Sequence, residues 1–230
     1  CMTVKTKKLL SEMTEALYQK KAVLLTGNTG VGKTFLAKKI SEQLSKSEYS
    51  CFPLSAYQDV SVEIISCHNS VTYEDVVGGI IADTESGKMV FEYKDKILIE
   101  TIFKAAADYK TKKGTNYVLI MDDLQRNDVS TLLGDAINAI GSEGNEAKLN
   151  LNSGTVIEIP PNFYVIGTYN ATETGAIAIS GNLMNKFYVR EILSDIEYIT
   201  EDSETENAVY YDQVRSLVFN YLDMQYRLST

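Results

Sequence analysis

Eight residues, Gly27-Asn28-Thr29-Gly30-Val31-Gly32-Lys33-Thr34, limit what this chain can fold into more than any other feature. They fit G-x-x-x-x-G-K-[ST], a loop whose backbone N–H groups cradle phosphate. The flanks fit the same pattern. Lys21 to Thr26 (K-A-V-L-L-T) reads as a short buried strand, and Phe35, Leu36, Ile40 and Leu44 then recur at helical spacing. Strand, glycine loop and helix make the motif work. Glycines let the N–H groups turn inward, and the helix N-terminus adds a favourable dipole. Lys33 can reach the β- and γ-phosphates, and the Thr34 hydroxyl can ligate Mg²⁺. The candidate nucleotide-binding stretch therefore runs from Gly27 through Phe35.

The remaining pattern predicts strands alternating with helices. Leu9, Leu10, Met13, Ala16 and Leu17 form an apolar stripe on a first helix, ahead of the strand that feeds the loop. Cys51 to Tyr57 reads as irregular, and Val62 to Cys67 as a second core strand. Thr72 reads as a helix cap with Asp75 at the third helical position. Glu85-Ser86-Gly87-Lys88 lies between two apolar runs, a hairpin signal, and Leu149 to Ile159 alternates around Asn152-Ser153-Gly154, a second one. Leu98 to Tyr109 reads as an amphipathic helix and Val129 to Ile140 as the clearest helix of the chain. Tyr117 to Met121 is a continuous apolar run, as expected of a central parallel strand. Phe163 to Gly167 and Phe187 to Ile192 are the fourth and fifth strands. The expected fold class is α/β, with a parallel five-stranded sheet covered on both faces.

Composition removes several function classes. No apolar run approaches the ~18 residues of a membrane span, and Cys1-Met2-Thr3-Val4-Lys5 lacks the apolar segment of a secretory leader. Cys1, Cys51 and Cys67 lack paired metal-ligand spacing and read as reduced thiols. We therefore expect a cytoplasmic protein that does not engage membranes. The net charge of −9 argues against a broadly basic nucleic-acid-binding surface. His68, the single histidine, excludes multi-histidine metal sites and reads as a polar residue at a strand end.

A second set of catalytic parts follows the run Tyr117–Met121, which ends in Asp122-Asp123. A P-loop enzyme places its second acidic motif here. Asp122 at the strand tip would hold Mg²⁺ through water, and Asp123 would polarise the attacking water. The strand Phe163–Gly167 leads to Asn170, whose amide could bond the γ-phosphate or that water.

The order of these motifs resembles the AAA+ ATPases of the dynein-related branch, and within it the McrB type, GTP-hydrolysing motors of modification-dependent restriction systems. The resemblance covers roughly Ala22 to Ile192. It rests on Asn69 to Ile80, similar to the family's Tyr-Glu-Asp segment, and on Asp122-Asp123-Leu124-Gln125-Arg126-Asn127, where the family has Asp-Glu-Ile-Asn-Arg. Leu133-Gly134-Asp135 stands near its Phe-Gly-Glu, Pro161 to Asn170 resembles its sensor strand, and Leu183 to Phe187 occupies the place of its Leu-Arg-Arg-Arg-Phe. Three departures stand out. The catalytic glutamate becomes Asp123, one methylene shorter, and a 1 Å error in placing a reacting group can cost about a hundredfold in rate. The family's Met-Asn-Thr-Ala-Asp-Arg becomes Tyr169 to Thr174, without the arginine. The arginine cluster before Phe187 is reduced to Lys186, which lacks the planar fork of an arginine finger. Arg126 remains where the family has its arginine after the acidic motif.

The resemblance implies an AAA+ core over residues 1–193, hairpin insertions, and a linker with a short or truncated helical lid over 194–230, where Val214 to Leu222 forms a last helix. The tail suggests a reduced lid or a fragment of a longer chain. It also implies ATP or GTP bound with Mg²⁺, a hexameric-type homo-oligomeric ring, a nuclease subunit as partner, and DNA contacted indirectly or through domains beyond this chain. Asp123, Asn170, Lys186 and Arg126 are the candidate catalytic residues, with the binding parts intact and the hydrolytic parts altered. The expected function is a weak or assembly-dependent NTPase motor. The alternatives are a nucleotide-dependent assembly switch with little hydrolysis, and a MoxR-like ATPase that remodels proteins.

Overall fold

A computed structural model of the chain describes residues 4–193, apart from 47–48, 50–58, 86–87, 134–135, 141–147, 152–153 and 155. The irregular segment expected at Cys51–Tyr57 and the last helix expected at Val214–Leu222 lie outside the described residues. The chain divides into two compact units, Leu10–Ser194 and a second of Cys1–Leu9 with Asp195–Thr230. In the second, the described residues are the opening turns of α1 (Val4–Lys20).

The larger unit is built on a five-stranded sheet in the order β2-β5-β8-β1-β9, with every pairing parallel. Its strands are β1 (Ala22–Thr26), β2 (Asp59–Ser66), β5 (Thr115–Asp122), β8 (Phe163–Tyr169) and β9 (Tyr188–Glu191). Between β1 and β2 runs α2 (Lys33–Gln43), and between β2 and β5 come α3 (Tyr73–Val76), β3 (Gly78–Glu85), β4 (Lys88–Asp95) and α4 (Ile97–Thr111). A 3₁₀ turn (Leu124–Arg126), α5 (Val129–Leu133), α6 (Ala136–Ala139), β6 (Lys148–Asn150) and β7 (Val156–Glu158) lead to β8, and α7 (Gly181–Met184) precedes β9.

The continuous apolar runs account for the middle of the sheet. Tyr117, Leu119 and Met121 of β5 pack with Ala22, Leu24, Phe163 and Val165 against Leu98, Ile99, Ile102 and Ala105 of α4. The alternate residues, Val118 and Ile120 of β5 and Val23 and Leu25 of β1, are fully buried as well. Both faces of these strands are therefore covered, as parallel strands require. Each such aliphatic side chain contributes about 1.5–3 kcal/mol by its burial. Two buried asparagines brace the layers: Asn116 Nδ2 donates to the Leu44 carbonyl (2.9 Å), and Asn162 Nδ2 donates to the carbonyls of Ala105 (3.0 Å) and Thr115 (2.9 Å).

At the sheet margins the expectation of buried core strands fails. β2 and β9 are the two edges. Val62 and Ile64 of β2 are 36% and 41% exposed, and Val189 of β9 is 38% exposed. The apolar run of β2 reflects pairing propensity at an edge rather than burial on two faces. Both expected hairpins are present, β3 with β4 and β6 with β7, each antiparallel. Asp75 accepts from the Thr72 N–H (2.9 Å) and hydroxyl (3.0 Å), as the Thr72 cap of α3 predicts. Over the helix expected at Val129–Ile140, the described residues hold two short pieces, α5 and α6, on either side of 134–135.

Candidate functional site

The C-terminal ends of β1, β5 and β8 lie side by side, so the loops that leave them share one edge of the sheet. Ligands of open α/β sheets gather there. β1 delivers the glycine loop. Gly27 has φ 145°, and a Cβ on it would run into the Ile192 carbonyl oxygen. Gly30 and Gly32 have φ of 83° and 82°, with nothing within 4 Å of where a Cβ would stand. The loop therefore keeps a left-handed backbone and open space, a cradle that side chains on those two residues would strain and fill. Gly32 caps α2, whose first residues are Lys33 and Thr34.

Lys33 folds back over the loop, its Nζ donating to the carbonyls of Gly27 (2.8 Å) and Asn28 (2.8 Å). Burial pushes the ammonium below its usual range, and the charges of Asp123, Asp122 and Glu173 oppose that shift. The lysine thus sits within electrostatic reach of three carboxylates.

Asp122 ends β5. Its Oδ1 accepts from the Thr34 hydroxyl (2.8 Å) and from the Thr168 hydroxyl (2.6 Å). Thr168 in turn accepts the backbone N–H of Asp123 (2.9 Å). Asp123 itself adopts φ 59° and ψ 48°, a left-handed conformation uncommon for a non-glycine residue, though tolerated by aspartate. Asn170 follows β8 and is 3% exposed. Its Nδ2 donates to the Thr29 hydroxyl (2.7 Å), and its Oδ1 accepts from the Thr172 N–H (3.1 Å) and hydroxyl (2.9 Å).

These bonds bring Thr29, Lys33, Thr34, Asp122, Asp123 and Asn170 together, although they come from three separate stretches of sequence. Arg126 joins them, with its Nε donating to Glu173 Oε1 (2.9 Å) and a guanidinium nitrogen 3.7 Å from Asp123 Oδ2. Lys186 does not. The register of β9 on β1 pairs Val23 with Tyr188 and Thr26 with Glu191, so Lys186 lies near the start of β1 and the loop at its end. Its Nζ donates to the Asn138 carbonyl (3.4 Å). Sequence reasoning missed Thr168, Gln125 and Glu173. Gln125 and Glu173 line a cleft of about 450 Å³, together with Arg126, His68 and Asn69. A polar residue at the end of a buried strand was the only available signal for Thr168.

The residues present fit a triphosphate with Mg²⁺. Glycines hold an open left-handed loop, a buried cation lies against it, and a hydroxyl meets an aspartate at the adjoining strand tip. Thr34 and Asp122 are the pair that could hold the metal. Among the described residues no cluster of three or more His, Cys, Asp or Glu could hold an ion by itself, so phosphate oxygens would complete its shell.

A glycine loop at the end of one parallel strand, with an acid on the tip of another, defines a P-loop nucleoside triphosphatase. The match to the AAA domain of the dynein-related subfamily spans residues 22–187, and the chain belongs to that family. It is 24% identical over 174 residues to the type IV methyl-directed restriction enzyme EcoKMcrB subunit of Escherichia coli K12. That alignment covers 73% of this chain and 34% of the relative, so the chain spans about a third of the curated protein it matches. Among solved structures it is similar to a candidate ATPase of Cytophaga hutchinsonii ATCC 33406, with a TM-score of 0.52 and 15% identity over 87% of this chain and 51% of the other. That likeness concerns the fold. No described helix is long and apolar enough to cross a membrane.

Proposed function

We propose that this AAA module binds ATP or GTP with Mg²⁺ at Gly27–Phe35 and hydrolyses it slowly unless assembled, as the motor of a restriction or defence complex of the McrB kind. The observation that carries the reading is the junction of Thr34, Asp122 and Thr168 beside Lys33, which joins the phosphate loop to the acidic strand tip. Lys33 exchanges the Gly27 and Asn28 carbonyls for phosphate oxygens. Thr34 and Asp122 would hold the metal. Asp123 orients the attacking water, and Asn170 bonds the water or the γ-phosphate. Mg²⁺, once bound, neutralises charge that develops on the transferred phosphoryl group. Lys186 acts across a subunit seam of a homo-oligomeric ring, and a nuclease subunit supplies strand cleavage, with DNA reached through other domains.

A specific feature favours a second reading, the assembly switch. The shorter Asp123 carboxylate is engaged by both Gln125 and Arg126. A group held back in this way suits nucleotide-dependent assembly with little turnover.

The experiment is binding of ATP and GTP side by side with the assembly state recorded, followed by phosphate release from the parent and from Asp123→Glu. We expect nucleotide-dependent oligomers, slow release by the parent, and an increase of about ten- to a hundredfold in the glutamate variant. A fast parent that the glutamate does not improve would sink the idea of an impaired site. Oligomers without phosphate release in either protein select the switch.

A further inference from the structure

Two carboxylates at this site, Asp123 and Glu173, share the same two donors. Gln125 Nε2 donates to Asp123 Oδ1 (3.2 Å) and to Glu173 Oε2 (2.6 Å). Arg126 donates to Glu173 Oε1 (2.9 Å) and lies 3.7 Å from Asp123 Oδ2. The remaining Gln125 atom fixes which way its amide points: Oε1 accepts the backbone N–H of Asn170 (3.0 Å). Gln125 is 1% exposed, so turning that amide over would set a buried carbonyl oxygen against two carboxylates and an amide donor against the Asn170 N–H.

We infer that Glu173 is a positioning residue for hydrolysis, holding Asp123 and Asn170 in one fixed relation through Gln125 and Arg126. This rests on the reading of the site as an NTPase. The need for such a brace follows from Asp123. A side chain one methylene short, on a left-handed backbone, reaches its working position only if its neighbours allow no slack. Glu173 supplies the restraint from the loop after β8, and the same loop carries Asn170 and Thr172. The amide of Gln125 therefore links the acid that orients water to the asparagine that senses the γ-phosphate. Lys33 feels Glu173 together with Asp122 and Asp123, so Glu173 belongs to the field of the site as well as to its scaffold. Its neighbours Thr172 and Asn170 bond Asn28 and Thr29 of the phosphate loop.

The test has two readouts. One is steady-state hydrolysis by the assembled protein, and the other is hydrogen exchange at the Asn170 amide in the nucleotide-free protein. Glu173→Ala should lower kcat about ten- to a hundredfold with KM changed less than about twofold. It should also speed Asn170 exchange about tenfold, as expected for a loosened buried hydrogen bond. Glu173→Gln keeps an acceptor for Gln125 and loses the charge for Arg126, so it should fall between the parent and the alanine variant on both scales. Where the parent hydrolyses, both readouts must move, and a change in one alone overturns the inference. Where the parent does not hydrolyse, the NTPase reading fails by itself and exchange decides: unchanged protection at Asn170 in Glu173→Ala overturns the brace.

Discussion

Single residues at this site carry chemistry that reaches past the phosphate loop. Cys67, directly after β2, donates its backbone N–H to the Asp122 carbonyl (2.8 Å) and is fully buried. Burial pushes its thiol up to about 12, and the negative charges of Asp122 and Asp123 add to the shift. Tyr117 moves the same way, to about 12, through burial and its hydrogen bond to Asp108. The sign follows. Between the unfolded values near 9.0 and 10.0 and the folded values near 12, the unfolded chain releases protons that the folded chain keeps, so stability falls as pH rises through that window. We expect the midpoint of thermal unfolding to drop steadily above about pH 9, and Cys67→Ala to flatten the first part of that drop. Alkylation at pH 8 should reach Cys67 only on unfolding, which mass spectrometry of the modified peptide would check. The glycine loop was legible at this scale because its residues are adjacent. The brace was not, because Gln125 and Glu173 stand 48 positions apart and nothing local marks either as a partner of the other.

Among the elements, β5 and β8 do most to hold the site, because Asp122 ends the first and Asn170 follows the second. Their pairing runs from Tyr117 opposite Phe163 to Met121 opposite Gly167. Gly167 leaves no room for a side chain: a Cβ would stand 2.6 Å from Leu124 Cδ1 and 2.8 Å from Leu24 Cδ1. Gly167→Val should therefore force the 3₁₀ turn away from β8 and cost about 1–3 kcal/mol, visible as a lower denaturant midpoint at unchanged slope. Hydrolysis should fall further than stability alone accounts for, because Leu124 is the residue between Asp123 and Gln125. Both strands were legible from continuous apolar runs, and the hairpins from their turn residues. The edge positions of β2 and β9 were not. Val62 and Ile64 look like core residues in sequence, and only the strand order shows that, among the described residues, β2 has a neighbour on one side alone.

For the whole molecule, the register of β9 sets Lys186 at the far end of β1 from the loop. The four residues from the level of Val23 and Tyr188 to the loop already span about 13 Å of strand, more than a lysine side chain reaches. Lys186 therefore lies out of reach of its own loop, and in the ring proposed above it should serve another subunit's triphosphate. Mixing should reveal this. Lys33→Ala, with its own loop disabled, and Lys186→Ala, with its loop intact, should each hydrolyse little alone, and an equal mixture should recover a substantial part of parental phosphate release. A mixture no better than the two separate proteins would remove Lys186 from the reaction. The family was legible in the order of the motifs. The separation of Lys186 from the loop depends on strand register, which no motif encodes.

Gly27 rests against the carbonyl of Ile192, and Ile192 donates its own N–H to the Thr26 carbonyl (2.7 Å). The phosphate loop and the exit of β9 are thus fastened at one point. Ile192 is anchored on the very backbone that turns to receive phosphate. Strain at the exit of β9 would load the loop at its first glycine, and a loop stiffened by ligand would resist it. A displacement of β9's end and a nucleotide in the loop would thereby each register the other.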